Sequence, residues 1–322
     1  MTRRLDKALL SACAVAWASL LATALPAAVI VNDSFADGDR ADTVADLQDT
    51  NWWTSSSSSG IEDSVGSLGL VTGTSGRGIH TVFPTQTLAN VGDKLVATYT
   101  FTTPATVGAG GAVFKVGLFD TLGRAGLDMD ISSGSANPYA DYGWGTGTGG
   151  PGTAALPGYM MDMDGGANAD LNFRQHDPGT VTGTGRLLGT TGGFTSIPSS
   201  GPDGAYTLTA NTTYTGSLTL KRINATDMEL TGTLGTATHT VPDAFDSTSV
   251  GLLMFWANSN IFGVSSTPDT ANNGIDFSNV RIEFIPIPEP GAAVLGVVAA
   301  TLMGVSATRR RRLPRSQEIK LA

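Results

Sequence analysis

Two stretches decide how this chain is built: "TYTGSLTLKRI" at residues 213–223 and "DMELTGTLG" at 227–235. In both, apolar and polar residues alternate one for one, and Thr, Tyr, Leu and Ile dominate. Side chains on a β-strand point to opposite faces with a period of two, so this alternation is the mark of a strand with one face buried. The same pattern recurs outward in both directions, in "KLVATYTFT" at 94–102, "AVFKVGLFD" at 112–120, "VGLLMFWAN" at 250–258 and "GIDFSNVRIEFI" at 274–285. Gly, Asn, Asp and Pro break the runs, as turn residues do. No apolar pattern of helical period has useful length between Val29 and Ile285, and no repeat recurs at a fixed spacing. Many strands without helices predict an all-β, antiparallel β-sandwich, in one domain over 29–285. The serine run 55–59 and the glycine-rich stretch 143–153 read as loops, the latter at one rim.

Both ends of the chain differ from this middle. Residues 1–28 carry Arg3, Arg4 and Lys7, an apolar run from Ala8 to Leu25, and small residues after it. That order is the signature of a secretory signal peptide and predicts passage through a secretion translocon. Cys13, the single cysteine, lies inside the apolar run, so the mature chain would hold no disulfide. At the other end, Gly291–Ala307 is apolar and uncharged, bounded by Pro290 and by Arg309, Arg310, Arg311 and Arg312. Its length is at the short limit of the roughly 17–25 residues of a transmembrane helix, and the arginines would hold residues 313–322 on the cytoplasmic side.

Charge separates the parts further. Residues 29–285 hold 10 Lys+Arg against 25 Asp+Glu, a net of −15. A surface of that sign argues against nucleic acid, whose phosphates need a basic footprint.

Pro288, Glu289 and Pro290, followed by the apolar span and the arginine cluster, resemble the PEP-CTERM sorting signal over residues 286–312. The resemblance implies recognition by an exosortase and delivery to the cell surface or extracellular matrix of a polysaccharide-producing bacterium. "NDSFADGDR" at 32–40, "VGLFD" at 116–120 and "IDFSNVRIEF" at 275–284 resemble the order of parts in concanavalin A-like, laminin-G-like jelly rolls. That resemblance implies a jelly-roll sandwich and leaves function open, because such folds host lectins, glycosidases, lyases and structural modules.

Candidate chemistry is sparse. A retaining glycosidase needs two facing carboxylates, and laminarinase-like enzymes carry them as Glu-x-Asp-x-(x)-Glu. Glu62, Glu229 and Glu283, the only glutamates of the domain, form no such pattern. His80, His176 and His239 lack zinc spacing. Arg174 and His176 in "FRQH" would share one face of a strand, and beside a tyrosine they could serve a polysaccharide lyase by neutralising a uronate and moving a proton.

Oxygen ligands suited to calcium occur in "DMDGGANAD", which places Asp162, Asp164, Asn168 and Asp170 in a glycine-rich turn. Gly166 and Phe173 stand where an EF-hand would need ligands. Asp33 and Asp276 are a second pair, at the first and last strands, where carbohydrate-binding jelly rolls often hold a structural calcium. For glycan binding the candidates are Tyr139, Tyr142 and Trp144 beside the glycine-rich loop, and Trp256 next to Asn258 and Asn260. Trp52 and Trp53 fit core and surface equally well.

The favoured expectation is a non-enzymatic structural or glycan-associating component of an extracellular polysaccharide layer. A polysaccharide-modifying enzyme of lyase type and a protein-binding surface adhesin stand as alternatives.

Overall fold

The protein is described by a computed structural model that covers residues 26–40, 48–54, 61–72, 76–108, 110–122, 156–165, 169–176, 188, 194–198, 206–244, 247–258, 262 and 274–287. These residues hold fifteen strands. In chain order they are β1 (Ala28–Asp33), β2 (Trp53–Thr54), β3 (Ile61–Ser64), β4 (Ser67–Val71), β5 (Arg77–Thr87), β6 (Lys94–Thr102), β7 (Gly110–Phe119) and β8 (Gly158–Gly165). They continue as β9 (Leu171–His176), β10 (Phe194–Ser196), β11 (Thr213–Arg222), β12 (Asp227–Leu234), β13 (Ala237–Ala244), β14 (Ser249–Ala257) and β15 (Gly274–Ile285).

Every strand pair is antiparallel, in two sheets. The eight-stranded sheet runs β13-β12-β11-β6-β15-β4-β3, with β1 also paired to β15. The seven-stranded sheet runs β10-β9-β8-β7-β14-β5-β2. The long last strand pairs β6 along one edge and shares its other edge between β4 and β1. The first and last strands of the domain therefore meet.

Alternation does what the period of two requires. In β6 and β12 every second residue is buried and those between are partly exposed. The inward residues of both sheets interdigitate in one core whose centre is aromatic. Phe255 of β14 lies 5.2 Å from Tyr99 of β6, 4.5 Å from Phe277 of β15 and 6.1 Å from Trp52, ring centre to ring centre. Two glycines make room for this core. A Cβ at Gly216 of β11 would sit 2.6 Å from the Tyr99 ring, and one at Gly232 of β12 would sit 2.9 Å from that of Phe173.

One predicted alternation is not observed. β14 is buried at eight consecutive positions, Val250 to Ala257. It lies inside the seven-stranded sheet between β7 and β5, and both faces of that sheet are covered there.

Ala27–Ile285 forms one compact unit that contains all fifteen strands and the whole of this core. Among the described residues no helix is long and apolar enough to cross a membrane. The expected transmembrane span 291–307, the motif Pro288–Glu289–Pro290, the cluster Arg309–Arg312 and nearly all of the expected signal peptide lie outside the described residues.

Candidate functional site on the outer face of the seven-stranded sheet

On the strands of the seven-stranded sheet, residues two apart share a face. Phe114, Val116 and Leu118 of β7, Met161 and Met163 of β8, and Phe173 of β9 point into the main core. Lys115 of β7, Asp162 of β8 and Arg174 of β9 therefore point outward. Pairing places Lys115 directly opposite Asp162, and Arg174 opposite Met160, one pleat from Asp162. Arg174 Nε donates to Asp162 Oδ2 at 3.2 Å, and Arg174 Nη1 donates to Ser196 Oγ of β10 at 2.9 Å. Lys115 Nζ donates to the carbonyl oxygen of Leu188 at 3.0 Å. The result is a mixed-charge ladder across four strands, Lys115–Asp162–Arg174–Ser196.

Lys115 and Asp162 are almost wholly buried, and Arg174 keeps a quarter of its side chain exposed. Burial lowers the pKa of Lys115; the Asp162 charge opposes that shift and the Arg174 charge adds to it. Burial raises the pKa of Asp162, and the Lys115 and Arg174 charges pull it back. Among the described residues Asp162 Oδ1 has no hydrogen-bond partner.

Around the ladder the outer face is apolar. Phe119, Leu156, Met160, Leu188, Leu252, Met254 and Trp256 form a second, smaller core, with Val82 and Phe194 packed against it. Trp256 is 5% exposed inside this cluster. That corrects its expected role as an exposed glycan platform: it belongs to an inner strand, and Leu156 and Leu188 from distant parts of the chain help cover its face. Tyr139, Tyr142 and Trp144 lie outside the described residues.

Arg174 and His176 do share the outward face of β9, as a strand demands. His176, however, is held by a 2.6 Å hydrogen bond between its Nδ1 and the Leu156 carbonyl, with Phe194 at 4.7 Å and Phe119 at 6.3 Å. The described tyrosines are engaged elsewhere. Tyr159 donates to Ala244 O, Tyr206 to Asp164 O and Tyr214 to Thr207 O, while Tyr99 lies in the main core. Among the described residues, the Arg–His–Tyr trio of a lyase is thus not assembled.

The expected calcium ligands do not converge either. Asp162 is not in a turn but within β8, beside Lys115 and Arg174, where two cations oppose a third. Asp164 lies near the end of β8, Asp170 Oδ1 accepts from Asn172 Nδ2 at 2.9 Å, and Asn168 is outside the described residues. Asp33 stands opposite Val280, four positions from Asp276 along β15. Its carboxylate accepts from Phe35 N at 2.8 Å and from Trp52 Nε1 at 2.7 Å, a structural pairing that leaves the metal role without support. Asp276 sits between Gly69 and Thr102, and burial raises its pKa. No cluster of three or more His, Cys, Asp or Glu able to hold a metal occurs among the described residues.

Sequence reasoning passed over Lys115. Its signal was visible in "AVFKVGLFD", where a lysine occupies the outward slot two residues before Gly117 and four before Phe119, on a face that also carries apolar side chains.

No protein-family model and no curated protein matches the chain. Similar solved structures do exist. They include the metal-free carbohydrate recognition domain of Emp46p, at 9% identity, covering 76% of this chain and 94% of that chain with a TM-score of 0.43. An endo-1,3-beta-glucanase from Streptomyces sioyaensis is 12% identical over 82% of this chain and 99% of its own, with a TM-score of 0.43. A mutant of the alginate lyase Aly36B in complex with alginate trisaccharide is 15% identical over 81% and 99%, with a TM-score of 0.38. Likeness at this level assigns no residue a role, and the reading of the site rests on its own side chains.

Proposed function

We propose that this chain is an exported β-sandwich of the cell surface or extracellular matrix that associates with extracellular polysaccharide without cleaving it. The observation that carries the reading is Arg174, a partly exposed guanidinium held in place by buried Asp162 and by exposed Ser196. A fixed guanidinium presents several donors in a rigid plane, suited to the hydroxyl and carboxylate oxygens of a sugar chain. Catalysis would need a mobile proton carrier beside it, and His176 is tied to a backbone carbonyl. Export and sorting by an exosortase are supported by the signal-like N-terminus and the Pro-Glu-Pro, apolar and arginine order of the tail.

The test is retention of the 27–285 unit on the producing organism's exopolysaccharide, with calcium and with chelator, while unsaturated products are monitored. Retention without products, weakened by Arg174→Ala, supports the reading. Unsaturated products would replace it with a lyase, and absence of retention would overturn glycan association.

A further inference from the structure

The outer face of the eight-stranded sheet carries a pattern that neither the core nor the site above uses. Outward positions on four adjacent strands include Thr98, Thr100 and Thr102 of β6; Thr213, Thr215, Ser217 and Thr219 of β11; Thr231 and Thr233 of β12; and Thr238 and Thr240 of β13. These are eleven hydroxyl side chains, none of them buried. The register sets them in rows: Thr102 with Thr213, Thr100 with Thr215, Thr98–Ser217–Thr233–Thr238, and Val96–Thr219–Thr231–Thr240. Neighbours within rows are hydrogen-bonded, Thr102 to Thr213 at 2.9 Å, Thr100 to Thr215 at 3.1 Å, Ser217 to Thr233 at 2.8 Å and Thr231 to Thr240 at 3.0 Å. Charge flanks these rows: Lys94, Lys221, Glu229 and Asp227 lie beyond one end of them, and the neighbouring β15 sets Asp276 opposite Thr102 and Arg281, paired with Glu283, opposite Thr98.

The eleven hydroxyl positions themselves carry no charge, although the domain around them has a net charge of −15. An acidic body repels anionic polymers, and the eleven hydroxyl positions offer no countercharge to attract them. Long flexible side chains, which lose rotamer freedom on binding, are absent from these eleven positions. Threonine is stiff at χ1, and the cross-strand hydrogen bonds fix its hydroxyl further, so little entropy is lost when a partner docks. Paired hydroxyls retain acceptor lone pairs, and the methyl groups between them supply apolar contact. Strands about 4.8 Å apart and outward residues about 6.6 Å apart repeat this chemistry over roughly 14 by 20 Å.

We infer that this threonine face is a second binding surface, for a neutral polysaccharide that presents repeating hydroxyls and ring C–H groups. The class of partner rests on the proposed glycan association, but the surface is separate from the Arg174 ladder and stands or falls separately.

Sedimentation of the 27–285 unit with microcrystalline cellulose and with curdlan, both insoluble neutral glucans, tests it. Binding to at least one is expected at low and high salt alike, because no charge is involved. The variant Thr100→Lys/Thr215→Lys/Thr231→Lys should bind about tenfold more weakly, since docking would bury charge. The variant Thr100→Val/Thr215→Val/Thr231→Val keeps the branched shape and strand preference while removing hydroxyls, and should weaken binding with thermal stability retained. Lack of binding by the wild-type unit to both glucans, or equal binding by the triple lysine variant, overturns the inference. If Arg174-dependent retention on exopolysaccharide persists in either case, the proposed function survives without it. Loss of both would remove the two readings together.

Discussion

The indole of Trp52 donates to Asp33 Oδ2 at 2.7 Å, and the amide of Phe35 donates to Asp33 Oδ1 at 2.8 Å, so one buried carboxyl fastens the start of the chain to the centre of the core. Burial, and the Asp49 carboxyl hydrogen-bonded beside it, push the pKa of Asp33 up to about 7, against the pull of these two donors. An unfolded aspartate releases its proton near 3.9. The folded state therefore carries an extra proton between those values, and this contribution to stability is full below about 4 and lost as pH rises through about 7. Thermal melts across this range should show stability falling with pH, and Asp33→Asn should flatten the slope.

The Lys115–Asp162 pairing makes an asymmetric prediction. Asp162→Ala takes the acceptor from Arg174 and the opposing charge from buried Lys115, and should cost about 3–5 kcal/mol in urea unfolding. Lys115→Met combined with Asp162→Asn removes both charges at nearly constant volume and should cost clearly less than Asp162→Ala alone. Equal costs would show that the pair does not act as a pair.

Trp256 separates packing from binding. As a member of the outer apolar cluster, Trp256→Ala should lower stability by about 3–5 kcal/mol. Acrylamide should quench the fluorescence of Trp52 and Trp256 weakly compared with that of Trp53, which is only partly buried. A stable Trp256→Ala variant with reduced glycan retention would return this residue to the binding role.

Gly216 tests the core from its back. Its Cα faces the Tyr99 ring, with the hydroxyl 2.7 Å from where a Cβ would stand. Gly216→Ala should destabilise by about 1–3 kcal/mol, as overpacking does. Thr215→Ala, one residue away on the exposed face, should cost about 0.5 kcal/mol or little more, and chemical denaturation of the two variants would resolve the difference.

How much of this was legible in the chain differs by level. "KLVATYTFT" and "DMELTGTLG" disclosed their strands and their buried faces, because alternation is a local code. "VGLLMFWAN" misled, since a strand covered on both sides obeys no alternation. The candidate site divides in the same way. The shared face of Arg174 and His176 followed from spacing alone, whereas the capture of Asp162 by Arg174 required the β8–β9 pairing.

By itself, the sequence determined six of the fifteen strands, β6, β7, β11, β12, β14 and β15, the inward side chains of those that alternate, the charge of the domain and the row of threonines on β11. Only the tertiary structure decided that β1 closes against β15, that threonines of four strands form one face, and that Trp256 lies under cover. The reason is range. Side-chain direction repeats every two residues, but Lys115 meets Leu188 across 73 positions and Asn279 donates to Asp33 O across 246. Burial at such separations depends on how the sheets stack and where distant segments lie across them, which no local period encodes.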